Sequence, residues 1–96
     1  MIIITGGIRM KPEHRAEAIR LGIEHSTRSR AEPGCLVHNC HVDAEDAARL
    51  VFVEEWADMA AVQVHFAVPG GFVRELAAMS EGKPEMRIFE AEEVVR

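Results

Sequence analysis

Three observations predict an α+β fold for this chain of 96 residues. Short β-branched runs alternate with helical segments, the two middle runs lie close enough to pair as a hairpin, and the strand candidates carry apolar residues on both faces. The resulting order of strand, helix, strand, strand, helix, strand matches the ferredoxin-like βαββαβ arrangement. There, an antiparallel sheet carries its helices on one face. At 10.7 kDa the chain is one domain, 1–96, and 48% hydrophobic with 28% charged residues is enough apolar material for a core.

Each element has a local reason. Residues 2–9, IIITGGIR, are β-branched and short, and Pro12 suits the first turn of a helix. From Glu13 to about Arg30, Ala16, Ile19, Ile23 and Ser26 or Thr27 recur at helical spacing, so these are the expected buried stripe. Pro33 and Gly34 end that helix. Residues 35–42, CLVHNCHV, and 50–56, LVFVEEW, read as an antiparallel hairpin around a polar stretch from Asp43 to Arg49. Asp58 is placed to cap a helix from Met59 to about Val68, Phe72 to Met79 form a shorter one, and the last strand runs from Met86 to about Val95.

Alternation assigns faces. Ile2, Ile4 and Ile8 fall on one side of the first strand and Ile3 on the other, while Phe52 opposes Val51 and Val53. Both faces of the sheet are therefore apolar, which predicts a homodimer with two sheets packed face to face. Cys35 and Cys40, five residues apart, are expected on opposite faces of a regular strand and so unpaired, as reduced thiols.

Several functions are excluded or disfavoured. A net charge of −5 without a basic patch argues against nucleic acid. Met1 to Ile4 is apolar but has no basic leader and is interrupted by Thr5, Gly6 and Gly7, so neither a secretion signal nor a membrane span is expected and a cytoplasmic location is. There is no phosphate loop, GxGxxG, G-x-S-x-G or CxxC, so no nucleotide or flavin cofactor is expected. His38 and His41 resemble a metal pair but fall on opposite faces of a strand. His38 and Cys40 share a face without evident further ligands, so no metal is expected. Trp56 closes its strand on the face of Phe52 and Glu54, where it can wall a pocket or pack in the core. His65 turns inward beside Phe66, as a proton acceptor or a hydrogen-bonded core residue.

Glu32-Pro33-Gly34-Cys35-Leu36, then Val53-Glu54-Glu55-Trp56-Ala57-Asp58, Ala61, His65 and Pro69-Gly70-Gly71-Phe72 together resemble the antibiotic biosynthesis monooxygenase (ABM) domain family. The resemblance implies a dimeric α/β barrel. It also implies oxidation of electron-rich polycyclic phenols by O2 without metal or flavin, in a cavity lined by Trp56 with His65 above it. The chain departs from the family pattern where His38 replaces a frequent tyrosine and Gly71 a frequent histidine, and it contains no tyrosine. Thr5 to Gly7 offers no asparagine of the kind typical of haem-degrading members.

A cofactor-free oxygenase needs an apolar cleft, a base and a cation for the developing oxyanion. The expected catalytic residues are His65, with His38 in reserve. Trp56, Phe52, Phe66 and Phe72 are the expected walls and Arg87 the cation. Alternatives are an isomerase or tautomerase of a small oxygenated metabolite and a non-catalytic dimeric binding protein.

Overall fold

A computed structural model describes all 96 residues. Strand β1 (Ile2–Arg9) leads through a short 3-10 turn at Pro12–His14 into helix α1 (Arg15–Ser29). The hairpin β2 (Cys35–Asp43) and β3 (Asp46–Trp56) follows, then α2 (Met59–Ala67), α3 (Phe72–Ala78) and β4 (Glu85–Glu90). The strands pair antiparallel in the order β2-β3-β1-β4, the ferredoxin-like topology, so each crossover helix skips one strand. β3 begins earlier than the polar 43–49 stretch suggested, because Asp46 already pairs with Asp43 across a tight turn. β4 ends at Glu90, short of Val95.

The helices cover one face. Ile8, Met10, Leu50 and Phe52 pack there with Ala18 of α1 and Leu76 of α3; Ile2, Ile4 and Trp56 pack with Val62 of α2. The opposite face, with Ile3, Val37, Val51 and Val53, has no covering layer within the chain.

Two expectations are corrected. The buried stripe of α1 is Ala18, Gly22, Ser26 and Ser29, while Ala16 is exposed and Ile23 is 54% exposed. Small residues win because the helix lies close on the sheet: a Cβ at Gly22 would sit 2.7 Å from Cys40 Sγ and 3.1 Å from Phe52 Cζ. The two serines are tolerated because both hydroxyls are bonded, Ser26 Oγ to His38 Nδ1 at 2.9 Å and Ser29 Oγ to the His25 carbonyl at 2.7 Å.

The second correction concerns β2. Cys35 pairs with Trp56 and Val37 with Glu55, so Leu36 is an extra residue, a β-bulge that reverses the alternation. Cys35 and Cys40 consequently share the helix-facing side, opposite Trp56 and Phe52. Both remain free thiols. Their partners are four residues apart on β3, about 13 Å of strand, too far for a disulfide.

Pro33-Gly34 sets the entry to β2. Gly34 has φ +84°, its carbonyl accepts from Ala57 N at 2.8 Å, and a Cβ there would lie 2.6 Å from Ala61 Cβ. Gly34→Ala is therefore expected to lower stability by about 1–2 kcal/mol from the backbone conformation alone, with the contact adding to it. The check is a urea midpoint that falls while the slope stays constant; an unchanged midpoint would show that the turn relaxes freely.

Candidate active site

The three rungs that join β2 to β3 on the helix side are Cys40 with Phe52, His38 with Glu54, and Cys35 with Trp56. The middle rung is polar and separates the two apolar clusters. Glu54 is only 8% exposed, and burial raises its carboxyl pKa, opposed by the hydrogen bond from Trp56 and by His65. Trp56 Nε1 donates to Glu54 Oε1 at 3.0 Å. His38 is fully buried, and its Nε2 lies 3.4 Å from the same oxygen without forming a hydrogen bond.

Two helices bring further imidazoles to this rung. Asp58 caps α2 by accepting from Ala61 N at 2.9 Å, which starts the helix so that Val62 and His65 face the sheet. His65 Nδ1 lies 3.0 and 3.2 Å from the two Glu32 oxygens, and Nε2 lies 3.9 Å from Glu54 Oε1. A carboxylate at Nδ1 selects the Nδ1–H tautomer and leaves the Nε2 lone pair directed inward. From α1, His25 stacks on Phe72 with centroids 3.7 Å apart, and its Nδ1 accepts from the Arg28 guanidinium at 3.0 Å. The three imidazole centroids stand 5.0 to 5.4 Å apart.

A cavity of about 540 Å³ opens in front of this cluster. Its sheet side includes Ile4, Gly6, Phe52 and Glu54, and its helix side includes His25, Arg28, His65, Phe66 and Phe72. Gly6, between Ile4 and Ile8 on β1, lies at the edge of this volume, and a Cβ there would collide with the Glu85 carbonyl of β4, so the close pairing of β1 with β4 requires the glycine. His65, Phe52, Phe66 and Phe72 line one cavity.

Three expected site residues do not line it. Trp56 is fully buried against Ile2, Ile4 and Val62, and reaches the site only indirectly, by packing on His65 at 4.5 Å between centroids and by its bond to Glu54. His38 is sealed behind the cavity by Ser26 and Glu54. Arg87 pairs with Thr5 on the uncovered face of the sheet and lies 4.9 Å over the Phe89 ring. Its strand parity directs it away from the helices. The cation that does reach the cavity is Arg28.

Glu54, His25, Arg28 and Glu32 had no assigned site role in the sequence reading. Glu54 left a signal, as an acidic residue on the same face as Phe52 and Trp56, where charge is rare. His25 lies on the small-residue face of α1, three residues after Gly22, so recognising that face would have found it.

The fold thus carries an aromatic-walled cavity backed by a histidine–carboxylate cluster. The antibiotic biosynthesis monooxygenase family profile matches residues 1–70, and the chain belongs to that family. α3 and β4 lie beyond the matched span. An uncharacterized protein of Synechocystis sp. is 30% identical over 94 residues, 96% of this chain, and the chain spans 64% of that protein's length. A crystal structure of an antibiotic biosynthesis monooxygenase superposes with TM-score 0.87 at 28% identity, covering 97% of this chain and all of that one. A Deinococcus radiodurans structure, at 24% identity and TM-score 0.93 over 100% of this chain and 97% of that one, shares the fold.

Burial pushes His25 down to about 3 and His38 to about 4, with repulsion from the neighbouring imidazoles and from Arg28 and Arg30 respectively adding to it. Both values lie below the unfolded value of about 6.5, so their contribution to stability is complete above that pH and is lost as pH falls towards them. Glu54, with its raised pKa, contributes with the opposite sign. In chelator-containing buffer, thermal midpoints should fall as pH is lowered from about 6.5 to 4, and His38→Gln should make the decline shallower. Equal slopes for both proteins would show that His38 does not contribute.

Proposed function

We propose that the protein is a cofactor-independent monooxygenase that oxidises an electron-rich aromatic or polyketide-like small molecule with O2. The observation that carries this reading is His65, which lines the apolar cavity with its Nδ1 held by Glu32 and its Nε2 turned inward towards Glu54. Such an imidazole can take a proton from a phenol or activated methylene. The resulting carbanion or phenolate passes electrons to O2 directly. Over the full reaction a CH2 group becomes C=O, one oxygen atom enters the product and the other leaves as water. The four electrons come from the substrate, so no external reductant is required.

Phe52, Phe66 and Phe72 suit a flat ring system, and Phe72 stacked on His25 extends that wall. Arg28 at the cavity takes the role expected of Arg87, opposite a developing oxyanion. Trp56 and His38 act from behind, Trp56 by orienting Glu54. The proximity of Glu54 to His65 also suits an isomerase or tautomerase, in which a proton removed by one group returns from the other. A binding protein without catalysis uses the same cavity.

Oxygen uptake separates these readings. With an anthrone as probe, the protein should consume one O2 per quinone formed, and His65→Gln should slow turnover by roughly 10²-fold or more. Product formed without oxygen consumption would make it an isomerase. Binding without turnover would make it a binding protein.

The uncovered sheet face supports a homodimer packed sheet on sheet, which would bury Ile3, Val51, Val53 and Phe89. Free Cys35 and Cys40 are consistent with a cytoplasmic setting, and no helix is long and apolar enough to cross a membrane. Light scattering should return about twice 10.7 kDa, and Val53→Lys should shift it towards the monomer. A monomeric wild-type protein would overturn the assembly.

A further inference from the structure

We propose that His38, His65 and Glu54, joined by His25, form a binding site for one divalent transition-metal ion of the zinc class, and that the bound ion inhibits the protein. The donor atoms already converge. One ligand atom from each histidine lies within 4.8 Å of the others, and Glu54 Oε1 stands 3.4 Å from His38 Nε2 and 3.9 Å from His65 Nε2. Tetrahedral zinc with bonds of about 2.0–2.1 Å spaces its ligands roughly 3.3–3.4 Å apart. The His38–Glu54 pair meets that spacing, and His65 must close by about half an ångström to do so.

An orphan nitrogen strengthens the case. His38 Nε2 is buried, has no hydrogen-bond partner and points to the carboxylate oxygen that His65 also approaches. A buried polar atom is rarely left so, and with the ring proton on Nδ1, donated to Ser26 Oγ, Nε2 is free to take a metal ion. The outer nitrogens are anchored as metal-binding histidines require, His38 Nδ1 by Ser26 Oγ at 2.9 Å and His65 Nδ1 by Glu32 at 3.0 Å. An ion has a route in, because Glu54, His25 and His65 line the cavity.

His25 differs from the other two. Arg28 can only donate, so His25 Nδ1 accepts and the neutral ring carries its proton on Nε2. His25 can offer Nε2 as a ligand only when Arg28 releases Nδ1 and the proton moves there. His38, His65 and Glu54 are therefore the core, and His25 supplies the fourth position. Imidazole nitrogens with a single carboxylate favour Zn²⁺, Co²⁺, Ni²⁺ or Cu²⁺ over Mg²⁺ or Ca²⁺. Inhibition alone rests on the oxygenase reading, since the ion would take the His65 lone pair that reading uses as base.

The test is calorimetric titration of chelator-stripped protein with zinc chloride, with Co²⁺ as a spectroscopic probe. One Zn²⁺ per chain is expected, with intense visible absorption from tetrahedral Co²⁺. His38→Ala and His65→Ala should each weaken binding by about 10²-fold or more, and His25→Ala by about 10-fold. Ser26→Ala keeps every ligand and should weaken binding about 10-fold through the lost anchor, which covers the case of a ligand variant that fails to fold. His41→Ala, on the uncovered face, should change nothing. Absence of zinc binding to the wild type would overturn the proposal, as would binding lost in His41→Ala but kept in His38→Ala and His65→Ala. If the protein binds zinc and shows no oxygenase activity, the site stands and only the oxygenase reading and its inhibition fall.

Discussion

The buried carboxylate of Glu54 is the constraint around which the rest of the molecule is arranged. It lies near the C-terminal end of the inner strand β3, on the face that packs the helices, where an unpaired charge would cost several kcal/mol. The chain encloses it from four directions. Trp56 donates from two residues along the same strand, His38 faces it across the β2 pairing, His65 descends from α2, and Ile4 of β1 closes the remaining side. This arrangement accounts for the core being split. The Phe52 and Trp56 clusters are separate because Glu54 and its imidazoles stand between them.

That polar layer depends in turn on two backbone features. The bulge at Leu36 shifts the alternation of β2, so Cys35 still faces the helices although it is an odd number of residues from His38 and Cys40. The small-residue face of α1 lets the helix settle close enough for Ser26 to reach His38 and for His25 to reach Phe72. A larger residue at Gly22 would lift α1 from the sheet and withdraw both contacts. Arg30, just past the helix, donates to the His38 carbonyl at 3.0 Å and ties the same region together.

Most of the fold was legible because strand order, turn residues and the Asp58 cap are local signals with local consequences. The faces of β1 and β3 followed from simple alternation. Periodicity failed where geometry depended on something outside the segment. A bulge adds one residue without marking it in the sequence, and a helix that packs through glycine and serine shows no apolar stripe. The site was legible to a similar depth. His65 reads as inward from its helical spacing and Trp56 as sharing the face of Phe52 and Glu54, whereas the depth of a side chain within that face is not in the pattern, and Trp56 and His38 lie one layer behind the cavity. Arg87 shows the limit of residue type as a guide. A cation was required and an arginine on a strand was available, yet the parity of β4 decided against it and a helical arginine, Arg28, occupies the cavity instead.

A sheet face with a polar middle rung is an expensive way to build a core. Replacing a buried ionic or polar group by well-packed apolar residues is often neutral or stabilising, so packing alone does not explain a rung of glutamate and histidine flanked by two more imidazoles. Sites of chemistry are where local rules are broken and stability is given up. Here the departures coincide in space. The buried acid and the stacked His25 line one volume of about 540 Å³, and the orphaned His38 nitrogen lies directly behind it. Independent defects scattered through a structural core would have no reason to share a cavity. Their convergence is the strongest physical reason to treat this layer as a working site rather than as an imperfectly packed interior.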